Sequence, residues 1–170
     1  MPKKNNINSN VFDVINTEEK AYWLGFIYAD GNISNHDKIY EKSGKHVYRI
    51  EIALQEGDIN HLEKLKLFLE YEGKISLTKT NHRTNRCRLS FNDKHMWETL
   101  NKIGCTPNKS LTLQFPKDIF NSNNLSKHFI RGYIDGDGCI SYTSKQHNKM
   151  LLNILGTEDV LNNIQRNLPL

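Results

Sequence analysis

One nine-residue phrase occurs twice in this chain. Residues 23–31 read Trp-Leu-Gly-Phe-Ile-Tyr-Ala-Asp-Gly, and residues 130–138 read Ile-Arg-Gly-Tyr-Ile-Asp-Gly-Asp-Gly. Each copy is a short apolar stretch of helical character that closes on Asp-Gly and is followed by an alternating, strand-like run. Small residues stand four apart in both, Gly25 with Ala29 and Gly132 with Gly136. Such a stripe is flat and lets a second backbone approach closely. Two stripes in one chain predict two helices packed on each other, C-terminal ends side by side, in a chain made of two related halves.

Asp30 and Asp137 occupy those ends. A carboxylate at the negative end of a helix is unfavourable by about 0.3–1 kcal/mol, and two of them together repel. A chain that breaks the same local rule twice is expected to offset it, and bound Mg²⁺ (or Mn²⁺) would do so. Hard oxygen ligands and substrate phosphates are its usual surroundings, and there it can stabilise the leaving oxygen of a phosphodiester. Gly31 and Gly138, next in each copy, are counted with that metal site. Taken singly, Asp-Gly is an ordinary turn dipeptide, and that reading stands beside the metal one.

At 170 residues the chain holds one ordinary domain or two small ones. No apolar run approaches the roughly 20 residues that cross a bilayer, and the N-terminus lacks an apolar signal core. The expected location is intracellular, in the cytoplasm of a bacterial or phage-infected cell or in an organelle, without secretion. Cys87, Cys105 and Cys139 never form C-x-x-C, which argues for reduced thiols and against structural zinc. The net charge is only +4, but Lys74, Lys79, Arg83, Arg86, Arg88 and Lys94 cluster against the single acid Asp93. Such an excess suits a polyanion, nucleic acid first. A solvated hairpin of ordinary surface cations is the competing reading.

Residues 1–16 are Asn-rich and read as a loose arm. Thr17 caps a helix that runs through Ala29, with Gly31 placed to stop it. Residues 47–54 read as a strand pairing with 31–40 across a polar loop. Asp58 opens a second helix with Ile59, Leu62, Leu65, Phe68 and Leu69 on one face, ended by Glu72-Gly73. Strands near 74–80 and 85–92 follow, the latter basic on one face (Arg86, Arg88) and apolar on the other (Cys87, Leu89, Phe91). A third helix runs from about His95 to Ile103. Residues 104–123 connect to a restart: helix to Gly136, strands near 138–145 and 149–155, and a helix from about Thr157. The second hairpin and last helix of the repeat are then lacking, and the chain looks cut short at Leu170.

These residues resemble the LAGLIDADG (DOD-type) homing endonucleases. Tyr22–Gly31 is similar to the first signature, His128–Gly138 is the closer match to the second, and Gly104–Ser110 resembles the linker of single-chain members. The resemblance implies an α+β fold: an αββαββα unit whose antiparallel strands form a DNA-binding saddle, followed by an incomplete second repeat. Its expected divisions are a flexible arm over 1–16, a first repeat over 17–104, a connector over 105–123 and a partial second repeat over 124–170. It implies cleavage of both strands of a long double-stranded DNA site, with Asp30 and Asp137 as catalytic acids. Gln55 matches the polar residue that members place near the attacking water. Lys109 is the candidate for the basic residue polarising the cleavage site, with an ordinary linker lysine as the alternative. Arg49, Lys74, Lys79, Arg83, Arg86 and Arg88 are the expected DNA contacts.

Departures accompany the resemblance. Tyr28 takes the sixth place of the first signature where the second has Asp135, and Ile154, Leu155 and Gly156 occupy the stretch that should match Gln55. His36, His46, His82 and His147 share no spacing and read as solvent- or DNA-facing. If complete, such a protein is a monomer with pseudo-twofold symmetry. A complementing C-terminal fragment would otherwise supply the rest. An intron RNA maturase, a DNA-binding regulator on the same scaffold and an inactive fragment remain the other readings. Neither an intein nor a membrane protein is expected.

Overall fold

Thr17 accepts a hydrogen bond from the Lys20 amide (3.2 Å), and the glutamates that follow face the positive end of the helix that it opens. In this computed structural model, residues 6–35, 47–79, 85–120, 123–142 and 149–168 are described. That first helix, α1, runs Glu18–Asp30. The chain divides into two compact units, Met1–Val14 with Gly31–Pro107, and Ile15–Asp30 with Asn108–Leu170. Among the described residues no helix is long and apolar enough to cross a membrane.

The first unit is a four-stranded antiparallel sheet with two helices. Strands β1 (Gly31–Asn35), β2 (Tyr48–Gln55), β3 (Ser76–Thr78) and β4 (Arg86–Asn92) lie in the order β1-β2-β4-β3. Helix α2 (Ile59–Phe68) packs on β2 and β4, and α3 (Lys94–Lys102) on β2. Period-2 alternation sends Ile33, Ile50, Ile52, Cys87 and Leu89 into a core where each is at most 1% exposed. Leu62, Leu65 and Leu69 of the α2 segment and Met96 and Leu100 of α3 complete it. Asp93 caps α3 by accepting from the Met96 amide (2.8 Å).

Two expectations are corrected here. The described part of the N-terminal segment is not a loose arm. Its backbone is tied to the region after α2 (Asn8 amide to Leu69 carbonyl, 2.9 Å; Glu72 amide to Asn6 carbonyl, 3.1 Å). Phe12 is buried against Phe68 with ring centroids 5.8 Å apart, and Ser9 donates to Asp93 (2.6 Å). An apolar Val-Phe pair inside a polar composition outweighs the composition. Helix α2 also ends before Glu72-Gly73. Glu70 adopts the left-handed conformation (φ 51°) and donates to Leu67, while Tyr71 donates to Lys66. These crossed bonds close the helix one turn early with a residue other than glycine.

The second unit is organised by α1 and α4 (Asn123–Asp137). A Cβ placed on Gly25 would lie 1.9 Å from the Phe129 carbonyl oxygen, and one on Gly132 1.9 Å from that of Tyr22. One on Gly136 would meet the Ala29 Cβ at 2.4 Å. Contact rises along both helices together, so they run parallel and end at the same place. The contacts come in matched pairs: Gly25 on Phe129 answers Gly132 on Tyr22, a pseudo-twofold arrangement. Phe129 forms an edge-to-face pair with Tyr28 (5.0 Å, 80°) and another with Phe115 (5.2 Å). Strands β5 (Gly138–Tyr142) and β6 (Met150–Ile154) form a separate antiparallel pair, and α5 (Glu158–Asn167) follows, capped by Thr157.

Residues 36–46, 80–84, 121–122 and 143–148 lie outside the described residues, and with them Arg83, His36, His46, His82 and His147. Phe12→Ala is expected to cost about 3–5 kcal/mol of stability, measured by urea denaturation; a surface-like loss of a few tenths would refute the packed N-terminal segment. Gly132→Ala is expected to destabilise by about 3 kcal/mol, since its methyl meets backbone that cannot yield, whereas the exposed Gly57→Ala should be close to neutral.

Candidate active site

Two α-helical C-termini meet in the second unit, and each ends on a carboxylate. Asp30 is the last residue of α1 and Asp137 the last of α4. A Cβ on Gly136 would lie 3.3 Å from an Asp30 carboxylate oxygen, so Asp30 rests against the final turn of α4, at the residue preceding Asp137. Glycine at 136 and alanine at 29 are what allow this approach.

Lys109 completes the cluster. It begins a short 3₁₀ turn, Lys109–Leu111, after Asn108 in the left-handed conformation (φ 57°). The residue is buried, 9% exposed, and its Nζ donates to the Ala29 carbonyl (2.9 Å) at the end of α1. A buried ammonium is costly unless paired. Here an open helix-end carbonyl and the nearby Asp137 carboxylate face it. Burial pushes the Asp137 carboxyl above its usual range, opposed by Lys109 and by a hydrogen bond from Tyr133. The Tyr133 hydroxyl also approaches the Leu155 carbonyl (3.1 Å), and burial and Asp137 push its ionisation upward. A cleft of about 190 Å³ opens here, lined by Tyr28, Ala29, Lys109, Tyr133, Asp137 and the 155–157 turn.

Sequence reasoning had no local signal for Tyr133, which became visible only through its position one turn before Asp137 on α4. It also missed a clasp between the helices. Tyr22 donates to Asp135 at 2.7 Å, and the Arg131 guanidinium lies 4.8 Å from the centre of the Tyr22 ring. Burial, then the Asp135 bond, pushes the Tyr22 hydroxyl upward in pKa, with Arg131 opposing. Asp135 therefore serves the helix pair, and Tyr28 at the matching place of α1 is fully buried.

The donor set at the helix ends is carboxylate and carbonyl oxygen, chemistry that fits a hard divalent cation. Among the described residues no group of three or more His, Cys, Asp or Glu could hold a metal. Asp30 and Asp137 are the two carboxylates at these helix ends, and Gly138 follows Asp137.

The remaining expected residues belong to the first unit. Gly31 opens β1 opposite Ile52, and Gln55 ends β2, exposed and opposite Arg86. Register aligns Arg49, Arg86 and Arg88 on the polar sheet face with Ser34, Ser76, Thr78, Ser90 and Asn92. Arg86 and Arg88 are exposed and Arg49 half-buried. Arg88 is engaged by Glu51 on the same face (Nε–Oε1 3.5 Å). Lys74 and Lys79 are exposed beside β3.

The raised Asp137 pKa carries a pH signature. An acid whose folded pKa is raised binds its proton more tightly when folded, so its ionisation penalty is fully present above the folded pKa and is relieved on acidification towards the unfolded value of about 3.9. The melting-temperature difference between Asp137→Asn and the parent is expected to favour the variant most at neutral to alkaline pH and to narrow as pH falls to 4. A difference independent of pH would contradict the burial of that carboxylate.

The family profile described as LAGLIDADG endonuclease matches residues 23–115. The replication factor C small subunit of Methanocaldococcus jannaschii is 29% identical over 128 residues, 72% of this chain but 6% of that protein. Among solved structures, the LAGLIDADG homing endonuclease I-GzeII in complex with its DNA target is 15% identical, with a TM-score of 0.49 over 78% of this chain and 64% of that one. I-LtrWI bound to target DNA is 16% identical, TM-score 0.41, over 85% and 65%. Meganuclease I-SmaMI bound to uncleaveable DNA is 16% identical, TM-score 0.42, over 77% and 64%. The chain thus spans under two thirds of the length of each. The profile covers more than half of the chain and takes in α1 from Trp23 to Asp30, the whole four-stranded sheet and Lys109: this chain belongs to the LAGLIDADG endonuclease family.

Proposed function

We propose that this chain is a site-specific double-strand DNA endonuclease of mobile-element origin that works inside the cell, hydrolysing phosphodiester bonds with Mg²⁺ (or Mn²⁺) held by Asp30 and Asp137. The observation that carries this reading is the meeting of two carboxylate-tipped helix ends beside a buried lysine. Bound there, a divalent cation would neutralise charge developing on the phosphate and favour the attacking and leaving oxygens.

The chain's own groups have distinct tasks in this reading. Asp30 and Asp137 accept only, as ionised carboxylates, and hold the cation where two helix dipoles also favour positive charge. Gly31 and Gly138, next to the two carboxylates, belong to the metal site through their backbone. Lys109 spends one of three donors on Ala29 and keeps two for the scissile phosphate. Gln55 orients the attacking water. Arg49, Arg86 and Arg88 read base edges while Lys74, Lys79 and Arg83 meet phosphates. Glu51 lies beside Arg88 and leaves its two terminal nitrogens for a base or phosphate contact. A complementing C-terminal segment would extend the DNA-binding surface.

The test uses a pool of randomised duplexes with Mg²⁺, scored by sequencing for both retention and cutting. Asp30→Asn or Asp137→Asn is expected to lower cutting by on the order of 10³-fold or more while binding changes only a few-fold. Lys79→Ala should weaken binding evenly across sequences and reduce the salt slope by about 1. Loss of binding in step with cutting, in folded variants, would sink the metal role. Tight binding of intron RNA with no cutting would favour the maturase reading.

A further inference from the structure

Tyr133 stands four residues before Asp137 on α4, the spacing that brings two side chains of one helix together. Tyr133 is 1% exposed, and a phenol hydroxyl buried that deeply calls for a partner. Two acceptors face it: the Asp137 carboxylate, and the Leu155 carbonyl at 3.1 Å. The hydroxyl has one proton to give. A separation of 3.1 Å is long for an O–H···O bond, ordinarily about 2.7–2.8 Å, and an ionised carboxylate is the stronger acceptor. Asp137 therefore takes the larger share of that proton, and Leu155 the smaller.

The backbone closes the ring. The Leu155 amide donates to the Asp137 carbonyl (3.2 Å), so Leu155 touches both the acid's main chain and the hydroxyl that binds the acid's side chain. A Cβ on the following residue, Gly156, would stand 2.8 Å from the Tyr133 hydroxyl. Glycine there makes room for that oxygen. The Tyr133 ring lies nearly parallel to that of Phe129, with centroids 6.5 Å apart, so the hydroxyl is carried on a packed support. A carboxylate bound on one side by such a hydroxyl is hindered from turning about its Cβ–Cγ bond.

We propose that Tyr133 is the positioning residue of the second acid, its hydroxyl holding the Asp137 carboxylate in the orientation that receives a divalent cation. The role rests on the reading of Asp137 as a metal ligand. The matching place of α1, four residues before Asp30, is Phe26, which has no hydroxyl. Helix α1 thus gives Asp30 no equivalent of this support, and the two acids of the pair are not interchangeable.

Uptake of Mn²⁺ by the 170-residue protein, read from the electron paramagnetic resonance of the free ion, is the test. Tyr133→Phe keeps the ring and removes one oxygen, and it is expected to weaken uptake by about tenfold, as loss of a hydrogen bond to a ligating carboxylate does. Gly156→Ala, which alters neither Tyr133 nor Asp137, should weaken uptake in the same direction by pushing on the hydroxyl. It should add little in a Tyr133→Phe background, where that oxygen is gone. A lowered melting temperature with Mn²⁺ affinity equal to the parent's would mean a packing role and overturns the proposal. So does a parent that takes up no Mn²⁺, or a Gly156→Ala effect undiminished in the Tyr133→Phe background. Cutting of the randomised duplexes separates this role from the nuclease reading: half-saturating Mg²⁺ should rise about tenfold in Tyr133→Phe, with duplex retention as in the parent. If the parent cuts and Tyr133→Phe binds Mn²⁺ as tightly as the parent, the positioning role falls and the nuclease reading stands. If the parent cuts nothing but Tyr133→Phe weakens Mn²⁺ uptake, the positioning role stands and the nuclease reading falls.

Discussion

Everything in the second unit follows from how near two backbones can come. With side chains at 25 and 132, α1 and α4 would be held apart by at least the methyl groups that the structure has no room for. Their absence brings Phe129 carbonyl and Tyr22 carbonyl into the facing grooves, and the helices then finish together. Two carboxylates, two sets of open carbonyls and two negative dipole ends are thereby concentrated in one place. The buried Lys109 is the response available within the chain: its ammonium is bound to one helix end and faces the acid of the other.

That response is one-sided. Lys109 bonds Ala29, the end of the first signature helix, and holds down the carboxyl pKa of the second. Tyr133 adds a hydroxyl from α4. The halves are thus related in backbone and unequal in chemistry, a difference that two copies of one repeat acquire once they need not match. The first unit shows the same economy in another form: two similar modules share one core, and only one of its faces is polar.

Much of this was legible in the sequence because the signals were local and repeated. The small-xxx-small stripes specified the helix pair, and period-2 alternation in residues 86–92 specified which face of β4 is buried. The cap at Thr17 and the order of strands and helices were equally readable. What escaped depended on partners distant in sequence. Val11 and Phe12 sit in an Asn-rich stretch, and only their contact with the α2 region makes them core. Glu70 in a left-handed cap defied the expectation of glycine because the crossed backbone bonds there outweigh the local strain. The burial of Lys109 could not be read either, since nothing in a linker sequence says which side chain turns inward.

The paired contacts of α1 and α4 also differ in kind. On one side Tyr22 grips Asp135 at the surface; on the other Tyr28 and Phe129 meet edge to face in the interior. By the twofold relation, two copies of α1 would set Tyr22 against Tyr28 with no acid to receive the hydroxyl. Two copies of α4 would press the Asp135 carboxylate onto the Phe129 ring. Each like-with-like mating forfeits a bond, and the second also strands a charge against carbon. The helices are therefore keyed each to its opposite number and not to a copy of itself.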